Sequence, residues 1–329
     1  GVADGSITAA SMKNAGYEWG NRNRLINGGF SVDQRNSGSS QTIFTTDTYT
    51  ADHWRAYSVG AVCTGQRVAG SGNTQYRYQI TGAATVSAIK FSQRIEAANC
   101  YDLATQQCSI GVDLANSTLT NVTYALYYAN TTDTFGNAGA PTRTQITSGS
   151  FTVTGTVTRY TVEGINVPAG ATTGLELEFS VGAQTSGTWT IGNVQLERGA
   201  VATPFEVRSY PDELARCQRY YYRIDPAGVS GSVICMGYAQ STTTGVGVIL
   251  PPVTMRAAPT ALANASAANT FLAYHAAGTT VSPSSVGFSL STANSLGFYF
   301  TWGAPTLTAG QGLQLGFGGV LGYLGWAAE

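Results

Sequence analysis

Acidic and aromatic side chains at strand spacing are the first candidates for chemistry in this sequence. In Leu175-Glu176-Leu177-Glu178-Phe179-Ser180-Val181, Glu176 and Glu178 share one face, and Leu175, Leu177 and Phe179 share the other. Residues two apart on a strand are separated by about 7 Å. A glycosidase needs two carboxyls about 5–9.5 Å apart across the scissile bond, so the pair could in principle do acid–base work. Alternating glutamates opposite an apolar stripe are also the pattern of a strand with one wet face. The second reading is preferred: both glutamates are expected on a solvated sheet surface, and the chain is expected not to be an enzyme.

Other catalytic constellations are missing. The sequence has no G-x-S-x-G elbow and no GxxxxGK[ST] loop, and its two histidines, His53 and His275, are far apart. Between Pro226 and Ala328 the only charged side chain is Arg256, so no carboxyl pair exists there. The five cysteines, Cys63, Cys100, Cys108, Cys217 and Cys235, include no CxxC and no Cys/His metal spacing. They are expected to be small apolar thiols in a protein folded in a reducing cytoplasm, with a Cys100–Cys108 bridge left open as an alternative.

Binding chemistry has more candidates. A sugar site needs flat aromatic faces for C–H stacking and planar polar groups that grip hydroxyls. Trp54, Tyr57 and Tyr127, with Tyr124 and Tyr128 nearby, supply rings, and Gln93, Arg94 and Glu96 supply a polar row. Tyr127 and Tyr128 must point to opposite faces of a strand, so at most one lines a given groove. Further along, Tyr274, His275 and Trp302, with Tyr299, could form a second site at a tip. Each candidate has a structural alternative: Trp54 as a core anchor, Arg94 and Glu96 as an ion pair, and the strand aromatics as core or interface.

The elements that must position these residues are strands. Forty glycines, 18 tyrosines and only two lysines, Lys13 and Lys90, describe a chain rich in strands and turns. Period-two runs such as Ser150-Phe151-Thr152-Val153-Thr154 and Thr188-Trp189-Thr190-Ile191 recur between Gly/Asn/Thr/Ser loops. One helix is expected after Ser209, which can cap it, with Pro211 in the first turn and Asp212 and Glu213 at the positive end of its dipole. The fold class is all-β: two antiparallel β-sandwich (jelly-roll-like) domains joined by a short helix and preceded by an extended N-terminal arm. The boundaries read as 1–23 for the arm, 24–207 for the first sandwich, 208–223 for the connector and 224–329 for the second sandwich.

Charge and length narrow the partners. A net charge of −1 gives no electrostatic case for nucleic acid or anionic membrane, and no apolar run is long enough to span a bilayer. No signal-peptide pattern opens the sequence and Gly1 stands first, so the numbering is expected to start after processing or inside a longer polypeptide. A domain with one charged side chain in about a hundred residues would be poorly soluble alone. Much of its surface is therefore expected to lie in a subunit interface.

Three blocks also carry a likeness. Asn23-Arg24-Leu25-Ile26-Asn27-Gly28-Gly29-Phe30 is followed by Asp33-Gln34-Arg35-Asn36 and Asp52-His53-Trp54-Arg55; the second block is Gln93-Arg94-Ile95-Glu96. The third runs from Gln195-Leu196-Glu197-Arg198-Gly199 through Ala202-Thr203-Pro204-Phe205-Glu206 to Glu213-Leu214 and Cys217-Gln218-Arg219-Tyr220-Tyr221. Together they resemble the opening, centre and closure of bacteriophage tail-fibre and related virion proteins, over about residues 23–222. Asp4-Gly5-Ser6-Ile7-Thr8 is similar to segments that link fibre modules. Leu250-Pro251-Pro252-Val253-Thr254-Met255-Arg256, with Pro259-Thr260, is similar to fibre tip domains.

The bracketed module is in turn similar to the jelly-roll carbohydrate-binding modules of polysaccharide-degrading enzymes, which implies sugar binding without catalysis. Those modules often hold a structural calcium with an Asp in the last strand. Ile191-Gly192-Asn193 stands there instead, which argues against the ion, and no cofactor is expected. The resemblance implies a homotrimer in the virion, assembled in the bacterial cytoplasm. Its arm would join other virion proteins, and its weak, multivalent sites would bind host polysaccharide or lipopolysaccharide. A baseplate, collar or head-decoration component without a ligand is one alternative, a depolymerase is the second, and a bacterial secreted adhesin, disfavoured by the missing signal-peptide pattern, is the third.

Overall fold

The computed structural model describes residues 21–226, 229–265, 270–275, 280–318 and 323–328 of the 329-residue chain. The expected arm therefore lies almost wholly outside the described residues. The chain forms two compact units, Gly1–Glu213 and Leu214–Glu329, and the division falls inside the helix Tyr210–Gln218. Ser209 caps that helix: its hydroxyl accepts from the Asp212 amide at 3.4 Å and donates to the Asp212 carboxylate.

Unit 1 is a sandwich of two six-stranded antiparallel sheets, as the alternation requires. One sheet, termed here the site sheet, runs in spatial order Arg143–Thr152, Asn121–Ala129, Leu175–Val181, Ala88–Ile95, Trp54–Val59 and Thr48–Ala51. The other, the back sheet, runs Gln41–Ile43, Cys63–Ala69, Tyr76–Thr81, Thr188–Arg198, Gln107–Asn116 and Thr158–Asn166. Their facing sides share one core. Phe91 of the site sheet lies between Trp54, stacked at 5.0 Å between centroids, and Tyr78 of the back sheet at 5.2 Å. Full burial of each such side chain contributes about 1.5–3 kcal/mol.

The opening block of the likeness folds as a clamp on this sandwich. Asn27 has a left-handed backbone, and its side chain accepts from the Val32 amide while donating to the Val32 and Asp52 carbonyls. Gly28 follows because a Cβ there would sit 2.1 Å from the Val194 carbonyl oxygen. Asp52-His53 make the tight turn between the last two strands of the site sheet, His53 with φ of 65°. Burial raises the Asp52 pKa above the ordinary carboxylate value, and Arg35 and the Gln34 hydrogen bonds oppose that rise.

Unit 2 is again all antiparallel: a seven-stranded sheet and a three-stranded sheet over a shared core. The seven-stranded sheet runs Thr280–Val281, Phe271–Tyr274, Gly312–Phe317, Val233–Ala239, Thr244–Ile249, Ser295–Thr301 and Ser285–Thr292. The three-stranded one runs Tyr221–Ile224, Leu324–Ala327 and Leu262–Ala265. Phe298 meets Trp326 edge-on across the core at 6.2 Å. All five cysteines are free thiols, so the Cys100–Cys108 bridge does not form. Burial pushes both of those thiols up to about 12.

Candidate functional site

The outward face of the site sheet is a lattice set by register. Arg94 lies opposite Glu176, which lies opposite Tyr127. One step along, Arg55 lies opposite Ser92 and Ser92 opposite Glu178; one step further, Tyr57 lies opposite Lys90 and Lys90 opposite Ser180. The strands' other faces carry Ala56, Phe91, Leu177 and Phe179 into the core. The same period-two pattern therefore builds both the core and the site.

Two further pieces turn this face into a shallow cleft. Arg143 reaches over from the edge strand, its guanidinium 3.8 Å from the centroid of the Tyr127 ring. The segment Phe135–Pro141 forms a wall, tied down where Arg94 Nη2 donates to the Gly136 carbonyl (2.6 Å) and the Ala138 amide donates to Asp47 (2.7 Å). Arg94 also lies over the Phe135 ring at 5.0 Å.

Charges are packed densely here. Arg143 spans both glutamates, Nη1 to Glu176 at 2.8 Å and Nη2 to Glu178 at 2.7 Å. Glu176 also meets Arg55 at 3.4 Å and Arg94 at 3.5 Å, and accepts from the Ser92 hydroxyl at 2.9 Å. Arg55 pairs in addition with Asp47. Burial lowers the Arg94 pKa despite the Glu176 charge. Burial also pulls on Arg143, but Glu176 and Glu178 outweigh it and the pKa rises. The Tyr127 phenol is raised by burial and then by Glu178, so it stays neutral. Among the described residues, no group of three or more His, Cys, Asp or Glu side chains is arranged to hold a metal ion.

The expected site residues are sorted by this geometry. Tyr57 and Arg94 line the cleft, and Tyr127 adjoins it beneath Arg143. Glu176 and Glu178 do not form a solvated surface: they are 1% and 8% exposed, because three guanidiniums and an ammonium close over them. Trp54 is fully buried, stacked on Phe91 with its indole N–H donating to the Asn27 carbonyl, so it has no face for a sugar. Gln93 is also fully buried, bonded to the backbone amide and carbonyl of Ile26. Glu96 stands beyond the strand end and accepts from Asn99, and the ion pair that forms is Arg94 with Glu176. Tyr124 and Tyr128 pack against the core.

In unit 2, Trp302 is 6% exposed and meets Phe300 edge-on in the core, which corrects its expected place in a tip site. Tyr274 pairs with Gln314 on the other face of that sheet, with half-buried His275 directly after it, so the three do not share a groove.

Sequence reasoning passed over Asp47, Arg55, Lys90, Phe135 and Arg143. For Arg55 and Lys90 a signal existed, since each alternates with core residues just as Tyr57 and Arg94 do. Phe135 and Arg143 arrive from a loop and an edge strand whose sequences say nothing of where they dock.

No family model matches the chain, and no curated protein matches it in sequence. Solved structures do resemble it. A family 61 carbohydrate-binding module in complex with β-1,4-galactotriose shares 17% identity, covering 54% of this chain and 99% of its own, with a TM-score of 0.34. The enzymatically active domain of tailspike protein 4 from bacteriophage CBA120 shares 16%, covering 54% of this chain and 21% of its own, at 0.32. A Stig cyclase from Fischerella shares 11%, covering 55% and 98%, at 0.36. The three differ in their chemistry, and no functional assignment passes from them to this chain.

Proposed function

We propose that this protein is a fibre- or spike-type bacteriophage virion subunit that adheres to bacterial surface polysaccharide without cleaving it. The observation that carries the binding role is the cleft on the outward face of the site sheet. It offers Tyr57 as a ring surface and Lys90, Arg94, Asn137 and Arg143 as polar groups on a rigid floor. Against catalysis, Glu176 is too deeply buried to reach a glycosidic oxygen, and Arg143 occupies both glutamates at once. The virion placement is supported by the sequence likeness over residues 23–222.

We place the subunit contact in unit 2, against further copies of the same chain in a homotrimer. One face of the seven-stranded sheet carries Met236, Tyr238, Val246, Val248 and Tyr299 outward, with Met236 67% and Val248 55% exposed. With Arg256 as the one charged side chain between Pro226 and Ala328, a charged partner finds nothing to grip. Identical copies meet without repulsion.

The test is binding of the purified protein to bacterial cells and their extracted surface polysaccharides, with reducing-end release assayed in parallel. Saturable binding without new reducing ends is expected. New ends would replace adhesion with depolymerisation. No binding to any cell or glycan would favour a ligand-free structural virion component, for which the dense ion pairing of the cleft would be a purely structural device.

A further inference from the structure

We infer that the saccharide held in this cleft is anionic, its negative group on Lys90 and its ring on Tyr57; this rests on the adhesion reading above. Four cations line the cleft, Arg55, Lys90, Arg94 and Arg143, against three carboxylates, Asp47, Glu176 and Glu178. Asp47 pairs with Arg55, Glu176 is surrounded by Arg55, Arg94 and Arg143, and one oxygen of Glu178 is held by Arg143 at 2.7 Å. Lys90 is the cation held most loosely. Its ammonium has only Glu178 within ion-pair range, at 3.7 Å, and makes no hydrogen bond to any described group, though the side chain is only 33% exposed.

An ammonium has three donors to satisfy. Here all three are left for solvent or a ligand, in a cleft whose other charged groups already have protein partners. The neighbouring position on the adjacent strand is Tyr57, directly opposite in register. Side chains so placed are about 5 Å apart at Cβ and project from the same face, so one ligand can reach both. A sugar stacked on Tyr57 would therefore bring a carboxylate or phosphate onto Lys90 and balance the lining charge. A neutral sugar would cover that ammonium without compensating it, which is unfavourable when a charge is desolvated. The anion has two chemical sources, the carboxylate of an acidic sugar or the phosphate of a lipopolysaccharide core.

The experiment uses the full-length protein on an array of purified bacterial capsular polysaccharides and lipopolysaccharide glycans. Each is presented native, carboxyl-reduced and dephosphorylated. Binding is expected only to anionic glycans, with at least a tenfold loss on removing the anion, and the treatment that causes the loss identifies its source. Lys90→Gln should weaken binding to the native anionic glycan about tenfold, whereas Lys90→Arg should retain it. Equal binding to charged and neutralised glycans, or an unaffected Lys90→Gln, would overturn the anionic assignment and leave adhesion standing. Binding to no glycan at all would remove both.

Discussion

Glu176 is a carboxylate at 1% exposure with guanidiniums of Arg55, Arg94 and Arg143 around it. In such a setting the members are worth little singly and much together: removing one leaves the others buried without a counter-charge. Glu176→Ala is therefore expected to destabilise the protein by about 3–5 kcal/mol, read as a lowered denaturant midpoint at unchanged slope. Replacing Arg143 by Met in the same background should cost less than the sum of the two single changes, because the second removes a charge the first left unpaired. An unchanged midpoint in Glu176→Ala would show the cluster to be solvated after all. The alternation Leu-Glu-Leu-Glu fixes which face the glutamates occupy, and on that point the sequence is sufficient. It does not say that Arg143, 33 residues away, folds over them, since burial of a polar face depends on long-range partners. Trp54 misleads in the opposite direction: an indole beside Asp, His and Arg reads as a binding group until the Asn27 carbonyl and Phe91 are seen to enclose it.

At the scale of elements, the strands were legible wherever alternation was clean, as in Leu175–Val181 and Thr188–Arg198, and the helix was legible from its cap. What could not be read was the purpose of the closing block Ala202-Thr203-Pro204-Phe205-Glu206. It is stitching: Glu206 accepts the backbone amides of Arg22 and Asn23 at 3.1 and 3.0 Å, its own amide donates to Gln195, and Glu213 accepts the Asn27 amide at 2.6 Å. The start of the described chain is thereby fastened to the segment that follows the last strand of the sandwich. Burial tends to raise the Glu206 pKa, but the two amides with Arg208 and Arg22 outweigh it and the pKa falls below its ordinary value. A depressed carboxylate pKa means that the unfolded chain takes up the proton first. The stabilisation is complete above the ordinary glutamate range, near 4.3, and is lost as pH falls through the lower folded value. Glu206→Gln should accordingly flatten the decline in stability on acidification, measured as the melting temperature between about pH 5 and pH 2. A decline as steep as that of the parent protein would mean that the fastening is not made by the ionised carboxylate.

For the molecule as a whole, the decisive feature is that its two units distribute charge so differently. Unit 1 ties Asp33, Asp47, Asp102, Asp113, Glu176, Glu178, Glu206 and Glu213 into ion pairs, whereas Arg256 is the one charged side chain between Pro226 and Ala328. The scarcity of charge was plain in the sequence, but which surface stays apolar was not. Only the register, Tyr238 opposite Val246 and Val246 opposite Tyr299, gathers these side chains on one face of the seven-stranded sheet. A flat apolar sheet face packs against another at about 10 Å, and a face that meets its own copy needs no second surface to evolve with it. Met236→Glu combined with Val248→Glu places two negative charges on that face, so association would require burying them unpaired. The light-scattering mass should fall from a multiple of 34.3 kDa to 34.3 kDa, with the far-ultraviolet dichroism unchanged because both side chains point away from the core. The same variant should keep its affinity for an isolated oligosaccharide while losing avidity for whole cells, since the cleft is intact and only the number of sites per particle has changed. A parent protein that is monomeric at micromolar concentration, or a double variant that keeps the parent's mass, would show that this face is not where copies meet.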